Sequence, residues 1–437
     1  MARSGHAQEE IRRFLDIEAV QVAELDLDGD EAVLRPGPGS PPVTHGEVFV
    51  LVRRVGRPVG TLLGRVPEGA DPRAVLAERA KVLLAERVKT VLAEPEKARQ
   101  APEAGELPYT SVVVATRERA GQLARALDSL LAQDHPRFEI VVVDNAPVTS
   151  ETRELIERKY AERVRYVCER VPGLAVAHNT GLAAARGEVV AFTDDDVVAD
   201  PRWLTELTAP FAADPGLGCG TGLILPARLT TPAQVLLESH GGFAKGFTPR
   251  TYDPARPPGD EPLFPFTAGR FGSGANMAFR TAVLRSVGGF DPATGAGTAA
   301  RGGDDLYGFV RVLAEGHRLR YTPSALVWHH HRETWQDLES QAYGYGAGLT
   351  AYLTAVLVNR PALLPSFLAR LPRGLAHARA LTAVRETEGG GAPGDHDTRT
   401  HPWPRRLSRL QRRGMVYGPV GYLRARRALR ARGEGAR

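Results

Sequence analysis

Glu188 to Trp203 reads EVVAFTDDDVVADPRW. Val189, Val190, Ala191 and Phe192 make a short apolar run suited to a strand buried on both faces. The run ends in three consecutive carboxylates, Asp194, Asp195 and Asp196. Like charges side by side at the end of a buried strand cost desolvation and repulsion, so a cation is expected among them, most simply a divalent metal. Asp200 and Pro201 then read as a helix start, with Asp as N-cap and Pro at the first helical position. The carboxylates are thereby placed in a strand-to-helix loop, the edge at which open α/β sheets bind ligands. The competing reading is a solvated acidic loop in which Asp196 caps a turn. The apolar strand and the Asp-x-Asp spacing, which lets two carboxylates converge on one hard cation, favour the metal.

Upstream, strand-like and helix-like segments alternate. SVVVAT (Ser111 to Thr116) precedes a helix with Leu123, Leu127, Leu130 and Leu131 on one face. FEIVVVD (Phe138 to Asp144) precedes a helix near Ser150, and VRYVCE (Val164 to Glu169) precedes one from about Ala175 to Arg186. Four such strands separated by helices predict a Rossmann-like α/β fold, a mostly parallel sheet flanked by helices. Its ligand-binding edge would carry Thr116-Arg117 and Asp144-Asn145 beside the three aspartates. A carboxylate at Asp144 suits a nucleobase imide or a ribose hydroxyl, and Arg117 suits a phosphate. No G-x-x-x-x-G-K-[ST] occurs in the chain, which excludes a P-loop nucleotidase.

Downstream, Gly216 to Gly274 is rich in Gly and Pro and reads as an irregular, substrate-shaping excursion. Order is expected again from Gly272 to Asp291, followed by a Gly/Ala/Thr loop (Ala293 to Ala300), RGGDD and a helix from Leu306 to Gly316. Asp304 and Asp305 have two readings. They are a cap plus a first-turn acid, or a repelling pair in which one raised pKa suits a base. The glycines from Gly295 to Gly303 suit a lid. The strand HRLRYTPSALVW runs into His329, His330 and His331, with the first and third on one face.

The 437 residues allow more than one folded unit. Residues 1–105 are predicted as a small α+β domain of unassigned role. It has two β segments around Gly56-Arg57-Pro58 and a helix capped at Asp71-Pro72 that runs to about Glu94. Residues 106–335 form the main α/β domain, and residues 336–437 a helical, Arg-rich extension with a linker near 388–400. Residues 399 to 437 hold twelve Arg and one Glu, about +11 of a net +5, so the remainder is about −6. A mildly acidic body argues against nucleic acid as a partner. The basic tail, with Leu and Arg at helical spacing, suits either solvent or an anionic membrane surface. Two cysteines, an apolar window interrupted by Asn359-Arg360-Pro361, and an N-terminus without an apolar signal core predict a cytoplasmic protein, with the inner membrane surface as the place for any peripheral contact.

The ordered set SVVVATRER, EIVVVDNAP, HNTGLAAARGEVVAFTDDDV, GANMAFR, GGFD, RGGDDL and ALVWHHHR resembles the family 2 glycosyltransferases of GT-A fold, over about Tyr109 to Arg332. The resemblance implies a nucleoside-diphosphate-sugar donor, a Mn²⁺ or Mg²⁺ ion on its diphosphate, and inverting transfer to an acceptor hydroxyl on a glycan, a lipid-linked sugar or a small molecule. It assigns Thr116, Arg117 and Asp144 to the nucleoside. Asp194 and Asp195 fall to the donor side, and Asp194 and Asp196 to the Asp-x-Asp motif, with Asp196 as the direct metal ligand. Asp305 matches the family's base, with Asp304 where a Glu is usual. Asn179 matches an Asn near the diphosphate, and His178 stands where Arg is common. His329 and His331 match late histidines, of which His329 is the expected third metal ligand. A sugar-phosphate nucleotidyltransferase would instead need a Gly-rich basic loop, and Ala115-Thr116-Arg117-Glu118 has no glycine. A non-catalytic sugar-nucleotide-binding or scaffold protein would not need Asp194, Asp196 and Asp305 together.

Overall fold

The computed structural model describes residues 14, 16–28, 31–85, 87, 107–240, 242–373, 403–431 and 433. The chain opens with β1 (Gln21–Asp26), β2 (Val33–Pro36), β3 (Gly46–Arg54) and β4 (Arg57–Val66), then α1 (Pro72–Leu83). The four strands form one sheet in the order β2-β1-β3-β4. The Asp71 side chain accepts from the Arg73 N–H and caps α1, with Pro72 in its first turn, as the sequence predicts. Residues 88–106, toward the expected helix end near Glu94, and 374–402, which contain the expected linker, lie outside the described residues.

The main sheet is built from β5 (Thr110–Thr116), α2 (Ala120–Leu131), β6 (Phe138–Asn145), α3 (Glu151–Leu155), β7 (Val164–Glu169), α4 (Leu174–Ala184) and β8 (Val189–Asp194). There follow β9 (Val197–Ala199), α5 (Trp203–Ala213), β10 (Leu217–Pro226), α6 (Pro232–Ser239), β11 (Arg250–Tyr252), β12 (Asn276–Arg280), α7 (Thr281–Ser286), α8 (Asp304–Ala314) and β13 (Arg318–His329). The nine strands run β11-β13-β10-β12-β8-β5-β6-β7, with β9 paired to β13. The half predicted from alternation, β8-β5-β6-β7, is parallel throughout. In the other half, β12 enters antiparallel between β8 and β10 and makes the sheet mixed. Apolar side chains from both faces of β5, β6 and β8 are fully buried, which explains their unbroken Val-rich runs.

Two local expectations change. The helix after the aspartates starts at Trp203. Asp200 caps a turn instead, its side chain accepting from the Arg202 N–H at 3.0 Å. The stretch after Asp196 first forms β9, so the carboxylates sit in a strand-turn-strand connection. In the Gly216–Gly274 region, Leu217–Pro226 is a buried inner strand. Its glycines read as irregularity in sequence, yet they are where neighbours crowd the backbone. A Cβ at Gly218 would meet Val312 and His317, and one at Gly222 would meet Ala325 O and Asn276.

Beyond β13 come α9 (Trp335–Asn359) and α10 (Arg405–Ala431). They pack side by side through glycines. A Cβ on Gly346 would strike Gln411 O, one on Gly414 would strike Tyr343 O, and one on Gly418 would strike Ala347 O. No single helix among the described residues is long and apolar enough to cross a membrane. α9 and the segment Pro361–Arg373 pass such a test only as a pair bent by 110°.

Candidate active site

Sheet register brings the predicted strand-end residues to one edge. Thr116 lies opposite Asp144, and Ala115 opposite Asp194. Thr116 Oγ1 donates to Asp195 Oδ2 at 2.6 Å. Arg119 Nη1 donates to Asp195 Oδ1 at 3.0 Å and to Asp196 Oδ2 at 3.3 Å. Part of the cation expected among the aspartates is therefore this guanidinium, which the sequence reading missed. Arg119 is aimed by Glu118, whose φ of 55° turns the chain back. The Glu118 carboxylate in turn accepts the Val148 and Thr149 N–H groups at 2.8 and 3.2 Å, tying the loop after β5 to the loop after β6.

Asp195 is thus occupied, and Asp194 and one oxygen of Asp196 are left over. β9 pairs with the end of β13 so that Val197 faces His329, and the His330 N–H donates to Asp196 O at 2.9 Å. This ladder sets Asp196 against His329. His329 Nε2 stands 3.3 Å from Asp196 Oδ1, a buried oxygen with no aligned hydrogen-bond partner. One ligand atom each from Asp194, Asp196 and His329 falls within 4.8 Å of the others. Burial and the charge of Asp196 push Asp194 up to about 7. Burial also works against ionised Asp196, but His329 and Arg119 hold it well below the usual carboxylate range. Burial opposes protonation of His329, and Asp196 outweighs it, so the imidazole pKa is raised. Two carboxylates, one of them with an orphaned buried oxygen, and an imidazole fit a divalent cation.

The second half of the site is anchored beside β8. Asn276 pairs with Thr193, the Thr193 hydroxyl donates to Ala275 O at 2.8 Å, and the Gly274 N–H donates to Asp305 Oδ2 at 2.9 Å. The Leu306 N–H donates to Asp305 Oδ1 at 2.8 Å. Asp305 is therefore held by backbone at the N-terminus of α8, next to the strand that ends in Asp194. Burial, then repulsion from Asp304, push its carboxyl up to about 6. Asp304 turns inward and is buried, with Oδ2 3.1 Å from His178 Nδ1, close enough for an ion pair though misaligned for a hydrogen bond. The His178 ring packs between Phe192 and Phe290. His178, where Arg is common in the resembling family, sits beneath α8 rather than at an open edge. Asn179 also turns inward, and both ends of its amide pair with the Phe290 backbone at 2.8 and 2.9 Å. The structure does not bring Asn179 to the strand-end edge, because the Gly288-Gly289 turn before Phe290 takes up its side chain.

Asp144 is buried. Its Oδ2 accepts from the Tyr166 hydroxyl at 2.9 Å, and its Oδ1 has no partner among the described residues. Burial raises its pKa. Arg117 is exposed beside Thr116. The glycine loop expected to act as a lid is pinned at several points. Gly295 N–H donates to Gly302 O at 3.1 Å, Leu174 N–H to Ala296 O at 2.9 Å, and Gly302 and Gly303 lie against Gly348 of α9.

The family model described as Glycosyl transferase family 2 matches residues 111–285, which carry both the strand-end aspartates and the Gly274 anchor of Asp305. This segment belongs to glycosyltransferase family 2. The pre-mycofactocin glycosyltransferase of Mycobacterium tuberculosis (strain ATCC 25618 / H37Rv) is 28% identical over 241 residues, covering 54% of this chain and 46% of its own. An uncharacterized protein of Sinorhizobium fredii is 33% identical over 145 residues, 32% of this chain and 16% of that one. The chain thus spans less than half the length of these curated relatives. Among solved structures, a mannosyltransferase from Pyrobaculum calidifontis in complex with GDP-Man and Mn²⁺ is similar with TM-score 0.43 and 20% identity, over 80% of this chain and 95% of that one. The family 2 domain therefore contains β5 to β12, while Asp305 and His329 reach it from the segments beyond.

Proposed function

We propose that this chain transfers a sugar from a nucleoside-diphosphate-sugar donor to an acceptor hydroxyl with inversion at the anomeric carbon. The observation that carries the reading is the convergence on one sheet edge of Asp194, Asp196 and His329 with a backbone-anchored carboxylate, Asp305, whose pKa is raised to about 6. Asp144, with its unpartnered Oδ1, and exposed Arg117 supply the nucleoside and phosphate contacts at that edge. Asp194, Asp196 and His329 would hold a divalent cation, Mn²⁺ or Mg²⁺, which when bound offsets the negative charge of the departing nucleoside diphosphate. Asp305 accepts the proton of the acceptor hydroxyl as its oxygen bonds to the anomeric carbon and the bond to the diphosphate oxygen breaks. Asp304 lies behind Asp305, where the repulsion between the two helps raise the Asp305 carboxyl, and His178 stands opposite Asp304. Arg119 holds Asp195 and Asp196 in place, so the carboxylates are set before any ligand arrives.

A thermal-shift screen of nucleotide sugars with and without Mn²⁺ tests the reading. A donor is expected to raise the melting temperature only with the metal present. Asp196→Ala is expected to abolish the metal-dependent shift, and an unchanged metal-dependent shift in the variant would reject the metal assignment.

A further inference from the structure

Two buried side chains behind the candidate metal group, Glu238 and His331, continue from His329 in a chain that the proposed reaction does not use. Glu238 lies near the end of α6, and its Oε2 is 3.1 Å from His331 Nε2. His331 Nδ1 is 3.1 Å from His329 Nδ1, and His329 Nε2 is 3.3 Å from Asp196 Oδ1. Helix α6 grips His331 twice from one face. Gln234, four residues before Glu238, donates from Nε2 to His331 O at 3.2 Å, while its Oε1 accepts the Thr230 and Thr231 N–H groups in the helix cap. The Phe243 ring covers both imidazoles, 5.2 Å from the His329 ring and 5.4 Å from the His331 ring.

Donor and acceptor chemistry fixes the order of protons along this chain. An ionised carboxylate only accepts, so His331 Nε2 must donate to Glu238. A neutral His331 then presents a lone pair at Nδ1, and His329 Nδ1 must donate to it. His329 Nε2 is left facing Asp196 Oδ1 at 3.3 Å, where a proton or a cation must separate the facing lone pairs, and a divalent cation would take the place of that proton. We propose that Glu238 and His331 are positioning residues that hold His329 with its proton on Nδ1, so that Nε2 is directed as a donor to a divalent cation shared with Asp194 and Asp196. This rests on the metal reading of that group. A carboxylate behind a ligating imidazole fixes the ring and raises its basicity, and here the carboxylate acts through a second imidazole.

Mn²⁺ binding to the full chain, followed by loss of the free-ion electron paramagnetic resonance signal, tests the relay without any turnover. Glu238→Met, which removes both acceptor and charge, is expected to weaken Mn²⁺ binding about 10- to 100-fold. Glu238→Gln, which keeps an acceptor, is expected to fall between Met and wild type. His331→Leu should match Glu238→Met. His331→Gln should recover most of the affinity, because its amide oxygen can accept from His329 while its NH₂ donates to Glu238, a distinction that packing alone would not produce. Unchanged Mn²⁺ affinity in folded Glu238→Met and His331→Leu, alongside lost binding in Asp196→Ala, would overturn the relay and leave the metal group standing. Equal losses in His331→Leu and His331→Gln would also overturn it. Absence of Mn²⁺ binding by the wild-type chain would overturn both readings.

Discussion

Asp304 and Asp305 are adjacent in the chain and have opposite surroundings. Asp304 is buried against His178, while Asp305 is only partly covered and has each oxygen fixed by a backbone N–H. That difference is why the proposed mechanism takes Asp305, and not Asp304, as the base. Asp305→Asn keeps one side-chain oxygen to accept from a backbone N–H and removes the proton acceptor, so turnover is expected to fall about 10³-fold with donor affinity by calorimetry nearly unchanged. Retained turnover would remove Asp305 from the role. The base form is the anion, and the carboxyl is raised to about 6. Turnover is therefore expected to hold above that pH and to drop about tenfold per unit below it, in a rate profile measured at saturating donor. A flat profile down to pH 5 would contradict the assignment. The aspartates and His329 were legible in sequence because charge at the end of an apolar strand is conspicuous. Arg119 was not, since its reach to Asp195 depends on the left-handed turn at Glu118, and a loop arginine carries no local signature of its partner.

At the level of elements, the strands with unbroken apolar runs were readable and the short or glycine-bearing ones were not. β9 has three residues, and its pairing with β13 is a tertiary fact that nonetheless sets Asp196 against His329. β10 was hidden by glycines whose purpose is close approach of neighbouring groups. The same logic governs α9 and α10, where Gly346, Gly414 and Gly418 let the helix backbones meet. Tyr422 of α10 and Asn359 of α9 donate to the same oxygen of Asp291, at 2.9 and 2.6 Å, and Gly421 lies against Ala299, so this pair also braces the loop leading to Asp304. Gly418→Val is expected to lower stability by about 1–3 kcal/mol in denaturant unfolding, because the added side chain meets Ala347 O. An unaltered midpoint would show that α10 does not depend on this approach.

On the scale of the whole molecule, the sheet β1–β4 is wedged between α1 and the back of the main domain. One face packs on Leu76 and Ala80, and the other brings Phe49 and Leu51 into a core with Leu223, Leu225 and Trp328. Arg53 fastens it, donating to Glu24 and to Asp200 just past β9. Arg53→Ala would leave Asp200 without this cation in a largely dry junction and is expected to cost roughly 3 kcal/mol in the same unfolding measurement, with no cost meaning the contact is ornamental. At the far end, α10 turns its glycine face inward and leaves Val416, Val420 and Leu423 exposed, with Val416 80% open to solvent. Arg409, Arg412 and Arg413 precede this apolar stripe and Arg427 and Arg430 follow it, all exposed. An apolar centre between basic ends on an outward helix face suits an anionic lipid surface, where side chains enter the interface and guanidinium groups meet headgroup phosphates. The full chain is expected to co-sediment with vesicles containing anionic lipid and to stay in solution with purely zwitterionic ones. Val416→Asp with Val420→Asp should abolish the association while leaving the fold intact, since neither side chain packs inward. Equal recovery of wild type and variant with anionic vesicles would leave this face as solvated surface.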